Sequence, residues 1–371
     1  MDLVVGADNA DKAVLVFNTG SSSLKYELLD RDEQTLVGGI VTRVGGEGGF
    51  HEMVVGGEEV RRSPATCPDH GAAVREALAG LALVLGSDWT TRVEAAGHRV
   101  VHGGPRFWRP TLLDDGVVEL LAQQVELAPL HNGPNTVAIR AARALLPGVP
   151  QVAVFDTGFH HDLPPAARTY ALPLELSERW GLRRYGFHGI SCQYLVRRVA
   201  ELGITPARRL ILCHLGAGAS VTAVLDGRSI DTSMGFTPTE GLVMATRSGD
   251  LDPSLLFYLA RHEGLEMDAV QRIIDHQSGL KGLSGLTGDY AHLEAAARDG
   301  HERAALALEV FAYRVRKYLG AYAAALGGID VVVFAGGIGE NSASARSSII
   351  DPLADLGWRL DPGANNSGPP E

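Results

Sequence analysis

AVLVFNTGSSSLKYELL, residues 13–29, is the stretch on which the fold turns. Residues 13–18 form a short apolar β-type run, Thr19 to Ser22 make a tight turn of small residues, and Ser23 to Leu29 return as a second strand. Half a chain later the pattern recurs: Leu210–Leu215 is apolar, Gly216-Ala217-Gly218 turns, and Ser220–Leu225 comes back. Gly20 and Asp30 fall on Gly216 and Asp226, each 196 residues further on. Two hairpins alone are slim grounds for a duplication, so the flanking segments have to carry part of the argument.

Outward from the first hairpin, Gly38–Arg43 and His51–Val55 are β-like, and Asp69 is placed to cap a helix whose apolar face is Val74, Leu78, Leu81 and Leu85. A strand over Arg92–Val101, helices near Val117–Glu126 and after Asn132, and a buried strand Gln151–Phe155 complete the first half. After the second hairpin, residues 289–326 read as one or two long helices with Leu308, Phe311, Val315, Leu319 and Tyr322 at helical spacing, ended by Gly327. Val331–Phe334 is wholly apolar, as in a buried parallel sheet, and runs into Ala335–Asn341 ahead of a further helix. Residues 361–371, rich in Pro, Gly and Asn, read as a disordered tail. Strands followed by alternating helix and strand place the chain in the α/β class.

Composition narrows the function. The 371 residues suit two domains, and 45% hydrophobic with 21% charged residues is ordinary for a globular protein. Net charge is −11 with no basic tract, which argues against nucleic acid. Only four of the 33 basic residues are Lys (12, 25, 281 and 317), so clusters of Arg and His stand out as places for an anion. Cys67, Cys192 and Cys213 are odd in number and widely spaced, which disfavours disulfides and zinc and makes a reducing, cytoplasmic setting the default. The N-terminus lacks the pattern of a signal peptide, and no apolar run of membrane-spanning length occurs, so no membrane is expected.

Three glycine-rich turns each follow an apolar strand: Asn18–Lys25, His214–Ser220 and Gly336–Asn341. Backbone N–H groups free of side-chain bulk can cradle phosphate oxygens. One such turn is ordinarily a plain hairpin; three in one chain favour a nucleotide. None fits a P-loop or a dinucleotide fingerprint, and HExxH, GxSxG and CxxCH are absent. Arg and His gather at Gly97–Gly104, Arg183–Gly189 and Ala245–Asp250. A lone loop arginine is usually solvated or salt-bridged, whereas arginine among small and apolar neighbours suits an anion. Asn132 has a plain reading as a helix cap, and Asp156, at the end of a buried strand, reads either as a cap or as a catalytic carboxylate.

Together the segments FNTGSSSLKY, GHRVVHGG, APLHN, VFDTGFH, RRYGFHGIS, HLGAGAS, DTSMGFTPTEGLVMATRSGDLDP and FAGGIGENS resemble the acetokinase family, in family order over most of the chain. The resemblance implies a duplicated actin-like, sugar-kinase-like (ribonuclease H-like) fold of two α/β domains with a cleft between them, here residues 1–157 and a nucleotide-binding 158–371. It implies reversible phosphoryl transfer from ATP to acetate by direct in-line attack, giving acetyl phosphate and ADP, with Mg²⁺ or Mn²⁺, in a cytoplasmic homodimer. Matched by motif, Asn18 is a metal-side ligand, and Ser21, Ser23 and Lys25 belong to a first phosphate loop. Arg99 and Arg247 match the arginines at the transferring phosphoryl, His131 and His188 the histidines beside it, and Asp156 the catalytic aspartate. His214, Leu215, Gly216, Ala217 and Gly218 form a second phosphate loop. Asp289, Tyr290 and Ala291, with Gly337, Ile338, Gly339, Glu340 and Asn341, match nucleoside contacts. Val101, Leu130, Phe187 and Pro238, with Arg99, match the pocket for the acid.

Two departures stand out. Ala217 and Ala219 occupy positions where the family commonly has asparagine and serine. The family's last strand, a magnesium-binding glutamate and a terminal helix are not found before Glu371. Propionate or butyrate as acceptor, and a catalytically impaired nucleotide-binding relative, are the competing expectations.

Overall fold

The computed structural model describes residues 12–124 and 129–367, with side chains of the helix Pro129–Leu145 from Asn132 onward. The chain divides into two compact units, Met1–Gly158 and Phe159–Glu371.

The first unit is built on strands β1 (Ala13–Thr19), β2 (Ser23–Leu29), β3 (Thr35–Thr42), β4 (Phe50–Val55), β5 (Glu58–Pro64), β6 (Val93–Val100), β7 (Thr111–Leu112) and β8 (Gln151–Phe155). They form one sheet in the order β5-β4-β3-β2-β1-β6-β8-β7. The pairs from β1 to β5 are antiparallel, whereas β1, β6 and β8 run parallel. Along β1, alternate residues Ala13, Leu15 and Phe17 are buried, and Leu24, Tyr26 and Leu28 do the same on β2. The helix His70–Leu85 packs Val74, Ala77 and Leu81 into that core, capped by Asp69, whose carboxylate accepts from Ala72 N. Each such large apolar side chain contributes about 1.5–3 kcal/mol by leaving water. Gly80 lets this helix close onto the sheet, because a Cβ there would stand 2.5 Å from the His51 ring and 2.7 Å from Met53 Sδ.

The second unit carries β9 (Arg209–Leu215), β10 (Ala219–Leu225), β11 (Arg228–Thr232) and β12 (Val331–Ala335) in the order β11-β10-β9-β12, with β12 parallel to β9. That is the order β3-β2-β1-β6 repeated. Adding 196 residues to the bounds of β1 and β2 gives the bounds of β9 and β10. Only the turn differs: Thr19 pairs with Leu24 but Leu215 with Ala219, so the second turn is one residue shorter. The helix Gly189–Glu201 covers Leu210 and Leu212, while Phe311, Val315, Leu319 and Tyr322 of the long helix Glu302–Leu326 are buried and Gly327 ends it in the left-handed region. The duplication is therefore real, and the fold is α/β. Among the described residues no helix is long and apolar enough to cross a membrane.

The structure corrects three local expectations. Asn132 is not a cap: the helix begins at Pro129, and Asn132 lies inside it with its side chain turned onto the neighbouring strand end. β12 is parallel as expected, but it is the edge strand of its sheet and its valines are only half-buried. Residues 361–367 are not a disordered tail. Asp361 caps the short helix Pro362–Asn366, and buried Asn365 holds the Arg346 guanidinium. Residues 368–371 lie outside the described residues. The expectations also left out β5, whose exposed polar run Glu58–Pro64 gave no apolar alternation to read.

Candidate active site

In the first unit three parallel strands deliver polar groups to their carboxyl ends, where α/β sheets assemble their sites. Asn18 on β1 stands in register with Arg99 on β6, and Asp156 follows β8 directly, its N–H bonded to the Val100 carbonyl. Arg99 Nε donates to both Asp156 oxygens at 3.1 Å, Nη2 to Oδ2 at 2.6 Å, and Nη1 to Asn18 Oδ1 at 2.8 Å. Burial alone would make this guanidinium less basic. The Asp156 carboxylate outweighs that and holds it above its ordinary value, so Arg99 is a permanent cation. Asp156 is thus an ion-pair partner: its carboxylate is engaged by Arg99 and not by a helix N-terminus.

On the other side of Asn18, Lys25 is its register partner across β1–β2 and is exposed. The intervening turn is closed by Gly20 N–H to the Ser23 carbonyl, leaving Ser21 exposed and Ser23 half-exposed. Buried side chains that sequence reasoning missed hold this surface. His70 Nε2 meets the Gly20 carbonyl at 2.9 Å, and Asn135 donates to the Thr19 carbonyl and accepts from Val101 N. Asn132 bonds both the N–H and the carbonyl of His102. Val101 itself is buried. The side chains of Leu130 and His131 lie outside the described residues, although the helix that carries them is stitched to the Arg99 strand by these two asparagines.

In the second unit the turn Gly216–Gly218 links β9 to β10 and is closed by Gly216 N–H to the Gly218 carbonyl. His188 sits at the N-terminus of the helix Gly189–Glu201 with φ +58, and its Nδ1 is 2.9 Å from Ser220 Oγ. His214 Nδ1 is 2.8 Å from Ser191 Oγ, and the two imidazoles lie 4.3 Å apart. A Cβ on Gly218 would stand 3.5 Å from both His188 Nε2 and Arg247 Nη1, so both groups aim at this turn.

Arg247 rides on a loop whose neck is Gly241 and Asp250. Their backbones pair, Gly241 N also donates to Asp250 Oδ1 at 2.8 Å, and Tyr318 OH donates to Oδ2 at 2.9 Å. Gly241 has φ +105 and would place a Cβ 2.5 Å from the Ser233 carbonyl, so no other residue fits there. Arg247 Nη1 donates to the Pro238 carbonyl at 3.2 Å, and Ala245 N–H to the Ala217 carbonyl ties the loop to the glycine turn. Just before the neck, Glu240 accepts from Arg184 and Tyr170. Phe187 is fully buried beside His188.

Gly337 also comes to the turn, its N lying 3.9 Å from a Cβ built on Gly216. Gly336–Asn341 is not a loop but a short helix, internally tied by Glu340 to Gly336 N and by Asn341 to the Gly337 carbonyl. Asp289 caps the helix Tyr290–Arg298, whose Tyr290 side chain is buried edge-on against Phe311 while Ala291 is exposed. Arg184, Asp250 and Ser220 were in quoted motifs; their roles were invisible because each acts through a residue distant in sequence.

Comparisons with known proteins agree with this geometry. The model of the acetokinase family matches residues 13–370. An acetate kinase of Halothermothrix orenii is 47% identical over 363 residues, 95% of this chain and 90% of that one. The crystal structure of Porphyromonas gingivalis acetate kinase superposes with a TM-score of 0.89 at 39% identity, covering 97% of this chain and 92% of that one. A propionate kinase structure from Francisella tularensis gives 0.91 at 36%, covering 96% and 91%. With the duplicated sheets and the family match over residues 13–370 in hand, the chain belongs to the acetokinase family.

Proposed function

We propose that this chain is an acetate kinase, transferring the γ-phosphoryl of ATP reversibly to a carboxylate oxygen of acetate. The acid's oxygen forms the new bond to phosphorus, the bond from phosphorus to the β–γ bridging oxygen breaks, and ADP leaves with that electron pair. The observation that carries the reading is the presentation of Arg99, locked by Asp156 and Asn18, and of Arg247 beside His188 at a glycine turn. A phosphoryl in flight spreads charge over its equatorial oxygens, and fixed guanidiniums meet that charge without reorganising. Acetate is ionised at neutral pH and needs no general base. Asp156 accordingly orients Arg99 and the metal side instead of carrying a proton.

The donor set fits a hard cation. Asn18 Oδ1 and the Asp156 carboxylate are oxygen ligands with lone pairs to spare beyond their bonds to Arg99. Among the described residues there is no cluster of three or more His, Cys, Asp or Glu, which suits Mg²⁺ or Mn²⁺ carried mainly by nucleotide phosphates and water. Asn18 and Asp156 would hold it, and its charge would neutralise the phosphate oxygens. Ser21, Ser23 and Lys25 in the first turn and His214 to Gly218 in the second take the phosphates. Asp289 to Ala291 and Gly337 to Asn341 take the nucleoside, Tyr290 through its backbone. Val101, Leu130, Phe187 and Pro238 meet the methyl group, and His131 joins His188 at the phosphoryl.

Incubation with ATP, Mg²⁺, acetate and hydroxylamine tests this: acetyl hydroxamate is expected, and a signal no higher than the acetate-free control refutes it. The likeness to a propionate kinase favours a second reading with a longer acid. One methylene is worth only about 1–3 kcal/mol of discrimination, so kcat/KM for acetate, propionate and butyrate decides between them. A homodimer in the cytoplasm completes the proposal. Its support is the helix Pro253–Glu263, which buries none of its residues, and three buried cysteines that form no disulfide among the described residues.

A further inference from the structure

A neutral imidazole has a single N–H, and the partner of one nitrogen decides whether the other is donor or acceptor. His188 Nδ1 lies 2.9 Å from Ser220 Oγ, a distance that allows either atom to donate. The surroundings of Ser220 remove the choice. It sits on β10 opposite His214, is 1% exposed, and among the described residues His188 Nδ1 is the only hydrogen-bond partner of its hydroxyl. Were Nδ1 protonated, the hydroxyl would have to accept, and its own proton would be stranded in the interior without an acceptor, which folded proteins avoid. The hydroxyl therefore donates, and the ring proton resides on Nε2. Nε2 is the atom directed at the Gly218 turn, alongside Arg247 Nη1.

We propose that Ser220 is a positioning residue that fixes His188 as the Nε2–H tautomer, so that the ring and Arg247 both present N–H donors at the Gly218 turn. The inference deepens the kinase reading and rests on it for its consequence in catalysis. The neighbouring ring, His214, lies 4.3 Å away and has a hydroxyl partner of its own in half-buried Ser191.

Selective ¹⁵N labelling of the 13 histidines reads the tautomer directly, with the His188→Ala spectrum assigning the signal. The expected pattern is an unprotonated Nδ1 and a protonated Nε2; a protonated Nδ1 overturns the proposal whatever the activity. Ser220→Ala is expected to give a mixture of tautomers and to lower kcat about tenfold with KM for ATP and acid nearly unchanged, less than the 10²–10³ of deleting a donor outright. Ser220→Thr, which keeps the hydroxyl, is expected to restore both. Unchanged kcat in Ser220→Ala, or an equal loss in Ser220→Thr, refutes the positioning role. If instead His188→Ala retains full kcat, it is the assignment of His188 to the phosphoryl that fails, while the spectrum still decides the tautomer.

Discussion

Arg99 grips Asp156 through Nε and Nη2 while its remaining nitrogen, Nη1, donates to Asn18, so all three nitrogens of one guanidinium are committed at 2.6–3.1 Å. Its side chain keeps 32% of its exposure and Asp156 only 3%. A lysine carries one point charge on a flexible stem and cannot serve both partners at once. Arg99→Lys is expected to lower kcat by about 10³, the scale of an arginine at a transferring phosphoryl. The hydroxamate assay measures this, with circular dichroism to show that the fold persists. A loss below tenfold would remove Arg99 from the chemistry.

Asn135 joins the ends of β1 and β6, accepting from Val101 N at 3.3 Å and donating to the Thr19 carbonyl at 3.1 Å. Asn135→Leu keeps the volume and strands both backbone groups, each at about 1–3 kcal/mol. Urea denaturation should show roughly 2–4 kcal/mol less stability. A variant as stable as the parent would mean that water replaces the amide.

How far the sequence could be read depended on how local each feature is. The hairpins were legible because alternation and a glycine turn are confined to about 17 contiguous residues, and the shared offset of β1–β2 and β9–β10 made the duplication explicit. Arg99, Asp156, His188 and Arg247 stood out as candidates because they sit at strand ends and turns among small residues, while their individual roles came only with the family resemblance. Ser220, Asn135 and His70 were not. Each acts through an atom that the fold, not the sequence, brings near: His70 reaches Gly20 across fifty residues, and Asn135 reaches Thr19 across 116. The tail expectation failed because Pro, Gly and Asn are also what a capped helical turn uses, as Asp361–Asn366 does.

Histidine burial gives the first unit an acid-sensitive stability. His98 is buried, stacked on Phe17 and bonded through Nε2 to Gln151 Oε1 at 2.8 Å. Burial lowers its pKa from 6.5 to about 4, against the opposing Gln151 bond. The native state keeps it neutral, while the unfolded chain takes a proton below pH 6.5. The stability it contributes is complete above pH 6.5 and drains away as pH falls toward 4. The full effect is on the order of 3 kcal/mol. Burial lowers His51 and His70 in the same direction. Urea unfolding at pH 7.5, 6 and 5 should show declining stability, with a shallower decline in His98→Gln. Equal slopes in the two proteins would assign the pH dependence elsewhere.

Asp250 closes the loop that carries Arg247 through Gly241 N, and is itself held by Tyr318 and Arg314 of the long helix. Asp250→Ala releases the neck without touching the guanidinium. A misplacement of about 1 Å can cost 10²-fold, so kcat is expected to fall 10- to 100-fold. Tyr318→Phe, which removes one of the carboxylate's bonds, should produce a smaller loss of the same kind. Intact kcat in Asp250→Ala would show that the neck does not place Arg247.

The helix Pro253–Glu263 is well formed: Asp252 caps it through Ser254 N, and Gly264 ends it in the left-handed region. Yet Leu255, Phe257 and Tyr258 are 46%, 53% and 57% exposed, and the helix buries nothing of its own. Large apolar side chains grouped on one helix suit an interface. If a second copy covers it, a charge there must be expelled from a desolvated surface, at a cost of several kcal/mol. Phe257→Asp is therefore expected to convert a dimer into a monomer in sedimentation velocity, with little change in unfolding of the isolated monomer, since no core contact is lost. A parent protein that sediments as a monomer would refute the homodimer, and a variant that stays dimeric would place the contact between copies on another face.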